Sequence, residues 1–296
     1  MNSEINDDLS EIYIECMKNE IFIDKENKQV LVLNARQSRE YFDNNNVRIK
    51  INNFLSKFKM KLKIYIERQH VKKIVDYMHL IHTLKLENSR KLDAKLFSSL
   101  YKLKLINCKI IKNINTLGSL HDLSLIGCAE LEDVRAFGNI HTLNLTGCKN
   151  IKDVSALKNI YSLNLSECTS VKDVSALKNV HILNLSACDK INDISQLTNV
   201  HTLILNYSYN IKDVGNLRKL KIFEISSFVN GIHLLKQLKE LIIYEDDCIN
   251  KINKAVIKLK QINDTVKIRC SSDSDFDFNF NYDSDGDCEY QHMNSY

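Results

Sequence analysis

The stretch IHTLNLTGCKNIKDVSALKN, residues 140–159, runs without a spacer into IYSLNLSECTSVKDVSALKN and then VHILNLSACDKINDISQLTN. Variants of the pattern [LIV]-x-x-L-x-L-x-x-C open at Leu100, Leu120, Ile140, Ile160, Val180, Val200 and Leu220, with a shorter unit before them at Ile81 and another after them at Leu238. Fixed-period self-similarity outranks any local propensity, and a period of twenty is too short for two helices per unit. Leu143-x-Leu145 alternates as a half-buried strand does, whereas Ile151, Val154 and Leu157 recur at the three-residue spacing of a 3₁₀ turn. One strand and one short return per unit predict a solenoid whose equivalent strands stack ~4.8 Å apart in a parallel sheet.

The pattern resembles a leucine-rich repeat, and IKDVSALKN resembles the return segment of internalin-like and phosphatase-regulator-like repeats, from residue 81 to about 243. The resemblance implies an α/β leucine-rich-repeat solenoid, with a parallel sheet on the concave face and 3₁₀ or short helical returns. Two features depart from it. The usual ladder Asn is replaced by Cys108, Cys128, Cys148, Cys168 and Cys188, with Ser89 and Ser208 at the ends, and the usual return Pro never occurs. One thiol per rung forms a line, not the converging tetrahedron that zinc needs, so the row reads as structural and no metal is expected. Asp133, Asp153, Asp173, Asp193 and Asp213 read as caps of the return turns rather than calcium ligands. His121, His141, His181 and His201, interleaved with Tyr101 and Tyr161, read as a stacked edge of the solenoid rather than a metal or pH site.

In leucine-rich repeats partners bind the concave face, so a protein partner is expected there. The middle rungs offer Thr142, Asn144, Thr146, Ser162, Asn164, Ser166, Asn184 and Ser186, all small and uncharged. Toward the C-terminal end Ile182, Ile204 and Ile222 take solvent-facing strand positions near Tyr207, and these four are the expected partner-binding residues. The alternative is that they belong to a terminal cap. In KFKMKLKIYI, Phe58 to Ile66 alternate with lysines as one strand; lysines on a first strand guard an edge, and nucleic acid is not an expected partner. CINKINKAVIKLKQIND predicts an amphipathic closing helix and TVKIRC a closing strand.

Residues 1–55 lack the repeat and predict a small helical region, a cap or an F-box-like segment, with Leu9, Ile12, Cys16 and Met17 at helical spacing. Leu33, Asn34, Ala35, Arg36 and Phe42 are similar to the second helix of an F-box, which implies a Skp-type adaptor docking on Leu9, Ile12, Leu33 and Phe42. A helical front joined to such repeats also resembles repeat proteins of large DNA viruses of amoebae. Residues 56–270 are the expected solenoid with its caps. Residues 271–296 hold seven Asp/Glu and no Lys/Arg, an expected disordered tail that leaves the remainder at 41 − 30 = +11. A 44% hydrophobic content suffices for a core, and no run reaches the ~18 apolar residues of a membrane span. MNSEINDDLSEIYIEC lacks a secretory layout and nine cysteines suggest free thiols, so a cytoplasmic or nuclear location, in a host cell if viral, is expected. With seven Gly and no phosphate loop or nucleophile elbow, the expected role is non-enzymatic and cofactor-free: an interaction scaffold, in sharper form a ubiquitin-ligase substrate receptor, alternatively a phosphatase regulator.

Overall fold

The computed structural model describes residues 22–24, 29–66, 74–227, 229–244, 249–271, 280–282 and 288–290. The chain folds as a leucine-rich-repeat solenoid built on a 13-stranded sheet. Apart from the antiparallel first pair, Phe22–Ile23 with Val30–Val32, neighbouring strands run parallel. Registers across the middle rungs are unbroken: Leu143 lies opposite Leu163, and Leu163 opposite Leu183. The expected 3₁₀ returns occur at Arg135–Phe137, Ser155–Leu157 and Ser175–Asn179.

One rung explains the others. Leu143 and Leu145 turn inward from the strand Thr142–Asn144 and the turn after it, and Ile151, Val154, Leu157 and Ile160 return to meet them, all essentially buried. Each such aliphatic removed from water is worth about 1.5–3 kcal/mol. Because consecutive rungs place like side chains on like, the core is one continuous column from Leu31 to Val266. Asp153, Asp173 and Asp193 each accept a hydrogen bond from the backbone N–H two residues on, at 2.8 Å, which starts the return turn as the sequence predicts.

The ends depart from expectation in three ways. The N-terminal region is not purely helical: Val30–Val32 is a strand that joins the main sheet beside Lys61–Ile66. Asn34 then caps the helix Ala35–Asp43 through a reciprocal pair of hydrogen bonds with Gln37, and a second helix, Asn45–Phe58, follows at once. The lysine-rich strand begins at Lys61 rather than before Phe58, because Phe58 ends that helix and Lys59 turns through a left-handed conformation, φ 53°. That strand is also interior, flanked by Val30–Val32 and Ile81–Glu87, so its lysines guard no sheet edge. At the other end the helix Ile249–Ile262 and the strand Lys267–Ser271 close the sheet where the sequence puts them. Leu9 and Ile12 and most of the acidic tail lie outside the described residues. Among the described residues no helix is long and apolar enough to cross a membrane.

Candidate functional site

Strand alternation sends every second residue to the concave face, and parallel register lines those residues up across the sheet. The central row reads Tyr65, Lys85, Lys104, Ser124, Asn144, Asn164, Asn184, Ile204, Glu224, Ile242, Arg269. Its middle is fixed by a repeated bond. The Oδ1 atoms of Asn144, Asn164 and Asn184 accept from the backbone N–H of Thr146, Ser166 and Ser186, each at 2.9 Å. Each amide is therefore held in one orientation, with its Nδ2 protons left to water or a ligand. Toward the N-terminal end Lys85 is buried, its Nζ 3.2 Å from Glu87 and 4.7 Å from the centre of the Tyr65 ring. Toward the C-terminal end Glu224 is also buried and accepts from Asn206 Nδ2 at 2.5 Å. The row thus passes from basic through neutral amide to a mixture of apolar and charged residues that ends on Arg269.

The four expected partner-binding residues do not share one exposed patch. Ile182 and Ile204 do sit on concave strand positions, but at 8% and 3% exposure they are buried, not solvent-facing. Each lies between two hydrogen-bonded neighbours, Ile182 between Ser162 and Thr202 and Ile204 between Asn184 and Glu224. Ile222 is half-buried. Tyr207 is 55% exposed and stands beyond the end of its strand, in a left-handed turn at φ 59°. Leu33 and Phe42, the described members of the F-box-like set, are buried in the core, with the Phe42 ring edge-on to Tyr41 at 5.1 Å. They fasten the first helix to the sheet.

A second feature runs along the strand entrances. His82, Tyr101, His121, His141, Tyr161, His181 and His201 stack ring on ring, with centroid separations from 4.0 to 4.9 Å, as the sequence predicts for a stacked edge. Beside it Asp122 brings Oδ1 to 2.8 Å from His121 Nδ1. Asp122 belongs to none of the repeating rows; its signal in the sequence is a carboxylate where the flanking full repeats carry Lys102 and Thr142.

No protein-family model matches the chain, and no curated protein matches it either. Among solved structures, it matches one described as the functional domain of InlJ from Listeria monocytogenes, which includes a cysteine ladder. The two are 14% identical with a TM-score of 0.30, over 71% of this chain and 56% of that one.

The repeat thiols offer no nucleophile. Burial pushes those of Cys128, Cys148 and Cys188 up to about 12 and raises those of Cys108 and Cys168 as well, so all five are protonated near neutrality. Cys148, Cys168 and Cys188 instead donate to the carbonyls of Leu125, Leu145 and Leu165 at 2.8, 3.2 and 3.0 Å. Ser208 does the same to Leu185 at 2.9 Å, so the row is a hydrogen-bonding device of the turn.

Proposed function

We propose that the chain is a non-enzymatic protein-interaction scaffold that holds a partner segment on its concave face. The observation that supports this reading is the in-register row Asn144, Asn164 and Asn184, each amide anchored to its own backbone. Donors already held in place lose little side-chain freedom when a ligand arrives, which lowers the cost of binding. Changing Asn164 alone to Asp preserves the anchoring acceptor, avoids setting like charges opposite one another on adjacent strands, and replaces the outward N–H pair with a carboxylate oxygen. This variant should melt near the wild type yet fail to retain the partner that full-length protein captures; retention of the partner moves binding to another surface. A phosphatase-regulatory role would use the same face and answers to the same variant.

A second reading, a substrate receptor that docks on a Skp-type adaptor, draws support from Ile49, an apolar side chain about half exposed on the helix Asn45–Phe58. Removing residues 1–55 would test it poorly, because the strand Val30–Val32 and the buried Leu33 and Phe42 would go too. Ile49→Asp keeps the core and should abolish adaptor binding; undiminished binding by that variant would remove Ile49 from the docking surface, and no adaptor binding by the unmodified protein would end the adaptor reading.

A further inference from the structure

We propose that His121, Asp122 and His141 form a binding site for a divalent late first-row transition metal, such as Zn²⁺ or Ni²⁺, joining two neighbouring rungs of the solenoid. In a chain that repeats itself, what is common to every unit serves the scaffold and what departs from it is free to serve something else. The residue after each stacked ring is Thr83, Lys102, Asp122, Thr142, Ser162, Ile182 and Thr202 in turn, so along this ladder a carboxylate follows a ring once. It does so at a place where two histidines are adjacent. One ligand atom from each of the three residues lies within 4.8 Å of the others.

The geometry is partly built. His121 Nδ1 and Asp122 Oδ1 are 2.8 Å apart, close to the ~3 Å that separates two ligands at right angles about an ion with bonds of about 2.0–2.2 Å. The backbone beneath is rigid: the His141 N–H donates to the His121 carbonyl at 3.0 Å, and Asp122 pairs with Thr142 across the sheet. The third ligand must move. The imidazoles of His121 and His141 stack at 4.7 Å and 19°, and a ring nitrogen binds a metal in its own plane, not through its face. His141 is exposed and can rotate its ring toward Asp122, giving up stacking while the strands stay in place. Two imidazoles and one carboxylate suit Zn²⁺, Ni²⁺ or Co²⁺, whereas Ca²⁺ and Mg²⁺ require more oxygens, and the exposed side leaves positions for water. Lys102 stands opposite Asp122 on the neighbouring strand. The second adjacent pair, His181 and His201, stacks at 4.0 Å but is followed by Ile182 and Thr202, which makes it an internal control.

The test is calorimetric titration of the reduced full-length protein with Ni²⁺. Cysteines and histidines elsewhere also bind metal, so the readout is the difference between variants. His141→Ala and Asp122→Asn should each lose one equivalent, or bind it at least tenfold more weakly, while the His181→Ala/His201→Ala double variant keeps it. Asp122→Asn retains an acceptor for His121 but is a poor ligand, so it separates coordination from ring positioning. Ni²⁺ should also raise the melting temperature of the wild type more than that of His141→Ala. Unchanged stoichiometry and affinity in either single variant overturns the site, as does an equal loss in the double variant.

Discussion

At the scale of single residues, the repeat demands one backbone conformation that most side chains resist. Asn88, Asn107, Gly127, Gly147, Glu167, Ala187 and Tyr207 occupy the same place just after successive strands, with φ between 52° and 70°. An L-residue pays roughly 1–2 kcal/mol to enter this left-handed region, which glycine enters without that penalty. Ala187→Gly should therefore stabilise the protein by up to about 1 kcal/mol, the reverse of the usual sign, and Gly147→Ala should destabilise it by a similar amount. Urea denaturation of the two variants checks the pair, and a loss of stability in Ala187→Gly would refute it. The thiols give a second residue-scale expectation. Because the five repeat cysteines are free and buried with raised pKa values, iodoacetamide at pH 8 should leave them unmodified in the native protein and alkylate them in denaturant. Peptide mass spectrometry reads the outcome, and native labelling of Cys148 or Cys168 would contradict their placement.

At the scale of elements, the ring ladder and the return turns make stability depend on pH in two separate windows. Burial foremost, then Lys221, lowers the pKa of His201, and burial foremost, then Lys61, lowers that of His82, each from 6.5. A histidine with a depressed folded pKa is protonated more readily when unfolded, so stability is full above about 6.5 and declines as pH falls below it. The return-turn carboxylates act lower down. Hydrogen bonds from the Ser155, Ser175 and Ser195 backbones hold Asp153, Asp173 and Asp193 below 3.8, so their contribution is present above that value and is lost as pH falls through their folded pKa values. Urea midpoints should thus fall between pH 7 and pH 5. His201→Tyr should flatten that slope, since Tyr101 and Tyr161 already hold equivalent places in the stack. A slope equal to that of the wild type would remove His201 from the account.

At the scale of the whole molecule, a solenoid is stabilised mainly between neighbouring rungs, so a single broken rung splits the column. Leu143→Asp puts a carboxylate into the fully buried row between Leu123 and Leu163, and the expected cost is several kcal/mol. Ile204→Asp should cost a comparable amount, since Ile204 is buried despite its concave position, whereas Tyr207→Ala should melt near the wild type. Thermal denaturation of the three variants separates them. If Ile204→Asp melts with Tyr207→Ala, Ile204 belongs to an open surface after all and regains a part in partner binding.

The sequence by itself determined the period, the inward residues and the returns, because each is a local rule copied rung after rung. Leu143, Val154, Cys148 and Asp153 had to repeat for the rungs to stack, and the repetition made their roles readable. It also determined the aromatic row, since residues twenty apart on stacked parallel strands are forced into neighbourhood. Tertiary structure alone decided what has no periodic signature. Val30–Val32 became a strand because the sheet offered it the open side of Lys61–Ile66, an environment no local window contains. Ile182 and Ile204 alternate as outward residues should, yet both are buried, and the exposure of an outward position is set by neighbours twenty residues away that no local window contains. The meeting of His121, Asp122 and His141 was half legible: stacking set the spacing of the rings, but the approach of Asp122 to His121 depends on side-chain directions that folding fixes.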